Sequence, residues 1–335
     1  MSTENPTRLD NKSSSIHPTS NATYRDYLLK DLKPEYEKAY DYYVGFNSSN
    51  MSFEQKRFLS CHSSANFARN NETGYVRVLA RSCHLRFCPI CSRAREKLIR
   101  HNVADWLITK HYPKFLTLTL KHSDEDLRTQ IDKLYACFKA LRRLKLVKKR
   151  VASGIWFFQI TRGKSGKEWH PHLHCILTGG YLPKTQLQKD WMRITGESFM
   201  VDIRLIRDVQ SAACEVARYA ACSCNIKTLS CNELAELDSA LSRRRICGTW
   251  GGARKQRLTS LPKYDASKWT NIGSWSAVTQ NLVSTEAARA IYSAWKSGVS
   301  LAAGISVDYL DDFVRNLSPP ETVYIEKFYE QKPLF

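Results

Sequence analysis

The chain has 335 residues, 43% of them hydrophobic, enough for one large or two modest globular cores. Its 51 Lys and Arg against 32 Asp and Glu leave a formal charge of +19, which attracts polyanions, nucleic acid first and an anionic membrane surface second. No apolar run approaches the roughly 18 residues needed to cross a bilayer, and Met1-Ser-Thr-Glu-Asn-Pro6 lacks the regions of a secretion signal, so a cytoplasmic protein is expected, with its 11 cysteines as thiols or metal ligands.

Residues 1–22 are rich in Ser, Asn and Thr and read as a disordered tail. Residues 23–110 read as a helical and Cys-rich segment. Tyr36, Tyr40 and Tyr43 recur at helical spacing within 33–60, and cysteines and histidine cluster from Cys61 to Cys91. Cys83, Cys88 and Cys91 follow a C-x4-C-x2-C pattern, with Cys61 as the candidate fourth ligand. Four thiolates suit a closed structural Zn²⁺ site. His62 and His84 are alternative ligands, and buried free thiols are the other reading. Arg81, Arg86, Arg93, Arg95 and Lys97 surround the cluster and would favour thiolates or touch phosphates.

Residues 111–230 have a more regular pattern. Phe115–Leu120 alternates in period two and predicts a strand. Leu127, Ile131, Leu134, Phe138, Leu141 and Leu144 at steps of three and four predict an amphipathic helix over 127–148, its other positions rich in Lys and Arg. Strands are predicted at 154–161 and 170–178, joined by a hairpin loop at Arg162–Lys167. A short helix at 184–192, a strand at 199–206 and an Ala-rich helix at 209–223 follow. This order matches a split βαβ, ferredoxin-like plan, hence an α+β fold with an antiparallel sheet and helices on one face. Residues 231–335 read as a basic and helical C-terminal region, with Arg243–Arg245 in a Gly-rich segment and a helix at 284–297.

Two segments carry chemistry. In Trp169-His-Pro-His-Leu-His-Cys-Ile-Leu177, strand alternation puts His170, His172 and His174 on one face, about 7 Å apart at roughly 3.3 Å rise per residue. Leu173, Cys175 and Leu177 face the core. Imidazoles so spaced can converge on one ion; a solvated face of hydrogen-bonded histidines is the alternative. Gln159, on the pairing strand, offers an amide oxygen acceptable to Mg²⁺ or Mn²⁺, or serves in hydrogen bonding alone. In Glu215-Val-Ala-Arg-Tyr219 the Glu and Tyr lie four apart on one helical face, and the phenol needs activation before it attacks.

Together these pieces resemble the plasmid rolling-circle replication initiators of the HUH endonuclease superfamily, over roughly Cys61 to Gly252. Phe115-Leu-Thr-Leu-Thr-Leu120 looks like their first, structural motif. His170-Pro-His-Leu-His174 is similar to the metal-binding motif, which implies His172 and His174 as ligands. Glu215-Val-Ala-Arg-Tyr219 looks like the nucleophile helix, which implies Tyr219 as nucleophile and Glu215 as the activator of water at termination. Cys83–Cys91 is similar to a Cys-rich signature of the same initiators. Two positions depart from the pattern: Cys222 stands where many members carry a lysine, with Lys227 as a candidate substitute, and Gln159 stands where glutamate is frequent.

The resemblance implies an enzyme that binds plasmid origin DNA as duplex and single strand. It would nick one strand through a 5′-phosphotyrosine with a free 3′-hydroxyl primer, and then rejoin. Catalytic Mg²⁺ or Mn²⁺, structural Zn²⁺, a host helicase and a host DNA polymerase are the expected cofactors and partners; a homodimer is left open, and no membrane is involved. The chain has no G-x-x-x-x-G-K-[ST] loop, in keeping with a separate helicase. The helix 127–148 and Arg243–Arg245 are expected to touch phosphates, and Trp156 or Trp169 to stack bases or fill the core. A transposase or relaxase of the same superfamily, a non-enzymatic zinc-containing DNA-binding regulator and a plain metal-dependent hydrolase are the rival readings.

Overall fold

The structure is a computed structural model that describes residues 22–45, 51–121, 123–163, 168–221, 224–259 and 265–307. The expected disordered tail, apart from Ala22, lies outside the described residues, as do Cys222 and part of the hairpin loop at 162–167.

The centre is a five-stranded antiparallel sheet, in the spatial order β6 (Val201–Leu205), β3 (Lys114–Thr119), β5 (Trp169–Gly179), β4 (Val151–Arg162), β7 (Cys247–Gly251). β4 and β5 pair from Val151 opposite Gly179 to Arg162 opposite Trp169. The register aligns Thr117, His174 and Phe157 across three strands, and one step along it aligns Thr119, His172 and Gln159. Alternation puts Leu118, Leu173 and Phe158 on the other face.

Both faces are covered, which corrects the expectation of helices on one face. Against the Leu173 face lie α5 (Leu127–Arg143), α7 (Lys184–Thr195) and α9 (Cys231–Leu241). There Ile131, Leu134, Leu187 and Leu237 join Leu118, Phe158 and Leu173 in one core. Against the histidine face lie α4 (Pro89–Leu107) and α8 (Val209–Ala221). The physical reason is that Phe115, Ile155, Phe157 and Ile176 make the middle of that face apolar too, and full burial of each is worth about 1.5–3 kcal/mol. Ala213, Val216, Ala217 and Ala220, at i, i+3, i+4 and i+7, give α8 a small-residue stripe that can approach the sheet closely.

The expected helix over 127–148 is two helices. Leu144 adopts an extended conformation, with ψ of 144°, between α5 and α6 (Lys145–Arg150). The C-terminal region is not wholly helical either, because it adds one strand to each of two sheets. β7 closes the main sheet through a reciprocal contact: Gly154 lies under the ring of Trp250, and Gly248 under that of Trp156. A Cβ on Gly154 would stand 2.2 Å from the Trp250 ring, so glycine is required there. β8 (Trp269–Ser274) pairs with β1 (Ala65–Asn70), which pairs with β2 (Val76–Ala80). This smaller sheet packs on α1 (Tyr24–Leu28), α10 (Trp275–Gln280) and α11 (Glu286–Ser297), with Phe67 stacked on Trp275 at 5.5 Å. Between α1 and β1, α2 (Lys33–Val44) and α3 (Phe53–Leu59) are held together by Tyr36 stacking on Phe58. Among the described residues no helix is long and apolar enough to cross a membrane.

Candidate active site and cysteine cluster

The hairpin of β4 and β5 brings His174 and Gln159 together. Nε2 of His174 lies 2.7 Å from Oε1 of Gln159, and Nδ1 lies 3.2 Å from Oγ1 of Thr117. Burial, aided by the positive charge of Arg204, lowers the His174 pKa to about 4, so its imidazole is neutral at ordinary pH, as a metal ligand must be. His172 stands beside it, the two rings 6.1 Å apart and 22° from parallel. His170 packs edge-on against His172 at 4.2 Å, but its Nε2 lies 3.2 Å from the backbone oxygen of Leu120.

Helix α8 completes the site. The Tyr219 ring stacks on His174, with centroids 4.1 Å apart and planes at 20°. The Tyr219 hydroxyl donates to Oε1 of Glu215 at 3.3 Å, and Oε2 of Glu215 accepts from Nη2 of Arg204 at 2.8 Å. The Arg204 guanidinium in turn lies 4.9 Å from the centre of the Phe115 ring. Burial first, then the charge and hydrogen bond of Glu215, raise the Tyr219 pKa, while Arg218 and Arg204 oppose the rise. The structure therefore juxtaposes Tyr219, Glu215, His172, His174 and Gln159. Sequence reasoning missed Arg204 and Thr117, although strand alternation and pairing place both on the histidine face. Lys227 pairs with Glu35 of α2 at 3.0 Å.

These atoms fit a hard divalent ion. The ring nitrogen of His174 and the amide oxygen of Gln159 are close enough to share one, and His172 adjoins them on the same face.

The four cysteines converge as the spacing suggests. Their sulfurs all lie within 4.8 Å of one another and are fully buried. Cys61 is 3.8 Å from Cys88 and 3.6 Å from Cys91, and Cys83 is 3.6 Å from Cys91. A tetrahedron with metal–sulfur distances of about 2.3 Å has edges of about 3.8 Å, so the spacing fits zinc; a disulfide needs about 2.05 Å. Hydrogen bonds from Cys61, Cys83 and Cys88 hold the Cys91 thiol far below its ordinary value, while the bond with Cys83 pushes Cys61 up. His62 and His84, each directly after a cysteine, take left-handed backbone angles, φ 54° and 57°, which turn the chain around the cluster. Neither joins the metal-binding group, although Nδ1 of His62 lies 3.2 Å from Sγ of Cys61. Cys88 is the N-cap of α4 and Cys91 lies in its first turn, so the cluster fixes the start of the helix that packs on α8.

The basic segments divide. On α5, Lys133 pairs with Glu197 at 2.6 Å and Asp132 binds Arg244, while Arg142 lies over Phe138 and Trp250. Trp156 packs on Tyr135 and Phe138, and Trp169 is buried beneath the Arg162 guanidinium, so both serve the core.

The sequence profile of the family described as Replication protein matches residues 76–298, about two thirds of the chain. A "Protein rep" from Bacillus amyloliquefaciens is 27% identical over 254 residues, covering 63% of this chain and 74% of the relative. Another from Bacillus sp is 28% identical over 168 residues, 46% of this chain and 54% of the relative. A third, from Lactiplantibacillus plantarum, is 26% identical over 216 residues, covering 55% and 67%. No solved structure matches.

Proposed function

Because the chain belongs to the Replication protein family, we propose that it initiates plasmid rolling-circle replication as a tyrosine endonuclease of the HUH type. The observation that carries this reading is the stacking of Tyr219 on His174, with Gln159 within 2.7 Å of the same imidazole. A nucleophile and a metal-ligand set, far apart in the chain, share one point on the sheet. The order β6, β3, β5, β4, with α5 and α7 as crossovers on one face, supports a split βαβ unit over residues 111–230, to which β7 adds a fifth strand.

His172, His174 and Gln159 would hold Mg²⁺ or Mn²⁺, which when bound supplies charge neutralisation at the phosphate. The Tyr219 oxygen attacks phosphorus and forms the phosphotyrosine on the 5′ side. The bond from phosphorus to the 3′ oxygen breaks, and that oxygen takes a proton to become the 3′-hydroxyl primer. The hydrogen bond to Oε1 of Glu215 positions the Tyr219 hydroxyl, and the phenol proton leaves to water at the site. In the closing step Glu215 acts on water. The Cys61, Cys83, Cys88 and Cys91 cluster would hold Zn²⁺ in a structural role.

The test is incubation of the full chain with its own plasmid and Mg²⁺ or Mn²⁺. Nicked circles with protein bound at the 5′ end are expected; intact supercoiled plasmid under every metal condition would reject the reading.

A further inference from the structure

Resting on the endonuclease reading, we propose that the single strand leading to the nick lies along α4, on a cationic stripe of Arg93, Lys97 and Arg100, and passes Arg95 and Arg245 to reach the site. The sheet has two faces, and Tyr219 belongs to the one covered by α4 and α8. The helix with the most conspicuous basic pattern in the sequence, α5, lies on the other face. A strand held there would have to round the sheet edge to reach Tyr219, and three of the cations in that region are already engaged by Glu197, Asp132 or aromatic rings.

α4 lies on the face that carries Tyr219. Arg93, Lys97 and Arg100 stand at i, i+4 and i+7, so they share one helical face, and all three are exposed, while Leu98, Ile99 and Val103 turn inward. The stripe spans about 10 Å at 1.5 Å per residue. Nη1 of Arg100 reaches Sγ of Cys214 on α8 at 3.9 Å, five residues before Tyr219, so the stripe runs beside the nucleophile helix. Glu96 is the one carboxylate between Pro89 and Arg100, and the ion pair of Arg93 with Asp31 is long, 3.9 Å, and solvent-exposed, the kind that phosphate displaces at little cost.

Two further arginines link the stripe to the site. Cys247 is level with Phe157 and so with His174. Cys247 packs against the core that contains Ile99 and Val103 of α4, the helix that carries Arg95, and the charges of Arg95 and Arg245 act on its thiol against the effect of burial. The amide of Phe158 donates to the carbonyl of Ile246 at 2.7 Å, so the chain just before β7 stays beside β4 and carries Arg245 to that end of the sheet. Ile246 packs against the core on the Leu173 face, and Arg245 before it is exposed.

The probe is a fluorescein-labelled dT20 oligonucleotide, with anisotropy followed as a function of KCl concentration on the full chain. Replacing Arg93, Lys97 and Arg100 together by Gln should weaken binding at least tenfold and make the log–log salt slope less negative by about 2, near 0.7 for each phosphate no longer neutralised. Arg245→Gln alone should move the slope by less than 1. Replacing Lys139, Arg143 and Lys145 by Gln, on the opposite face, should leave affinity within about twofold. All these side chains are exposed, and matching thermal melts confirm intact folding. An unchanged slope in the α4 variant, or a larger loss in the variant of Lys139, Arg143 and Lys145, overturns the proposal. The assay needs no cleavage: a slope change in a protein that never nicks keeps the surface and sinks the endonuclease reading, and nicking with an unchanged slope does the reverse.

Discussion

The ring of Tyr219 lies nearly flat on that of His174, 4.1 Å between centroids, so the hydroxyl is held over the face of the sheet that carries the histidines. Tyr219→Phe keeps the ring and its stacking and removes one oxygen. Folding and DNA binding should persist, while nicking and the covalent adduct with a labelled oligonucleotide disappear. Mass spectrometry of the wild-type adduct checks the assignment: a nucleotide attached to Tyr264, Tyr292 or a serine would reject it.

Arg204 holds one oxygen of Glu215 and leaves the other to Tyr219. If Glu215 acts on water at the closing step, Arg204→Ala should resemble Glu215→Ala, nicking but accumulating the adduct. The bond is half-exposed, so its loss should slow adduct turnover by about tenfold rather than more. The double variant should be no worse than Glu215→Ala alone, because the two residues act as one unit. Arg204→Lys keeps the charge but loses the planar fork, and should recover part of the rate. Additive losses in the double variant would show that Arg204 works independently of Glu215.

The cysteine cluster should hold about one zinc per chain, measured by elemental analysis of purified protein. Cys88→Ala removes a thiol of the cluster that also caps the start of α4, so zinc loss should come with a lower melting temperature and loss of nicking. His172→Ala, in contrast, should abolish nicking while zinc content and melting stay near wild type. Zinc-free protein that is folded and active would reject the structural role.

His174 gives a pH signature in zinc-loaded protein measured without added Mg²⁺ or Mn²⁺. Its pKa is lowered by burial from the ordinary 6.5 to about 4, so the unfolded chain binds more protons than the folded one between those values. The stabilisation is complete above about pH 6.5 and is lost as pH falls toward 4, on the order of 3 kcal/mol in all. His174→Asn should flatten this part of the stability curve in urea titrations at stepped pH. An identical slope in the variant would assign the acid sensitivity elsewhere.

Periodicity and spacing determined much by themselves. Alternation in Trp169–Leu177 fixed which face carries His170, His172 and His174, because strand geometry leaves one choice once Leu173 and Cys175 are buried. The 3.6-residue repeat placed Glu215 with Tyr219, and the Cys83, Cys88 and Cys91 spacing matched the observed cluster with Cys61. Local pattern also located the long strands and α5, though it ran α5 through the extended Leu144 into α6. Only the tertiary structure decided what lies across from what. The pairing of Arg204 with Glu215 joins a strand to the helix that follows it, and the junction of β8 with β1, the addition of β7 beside β4, and the covering of the histidine face by α4 join residues distant in sequence. No local period encodes such partners. They follow from which apolar faces remain to be buried once the hairpin and helices have formed, and that is a property of the whole chain.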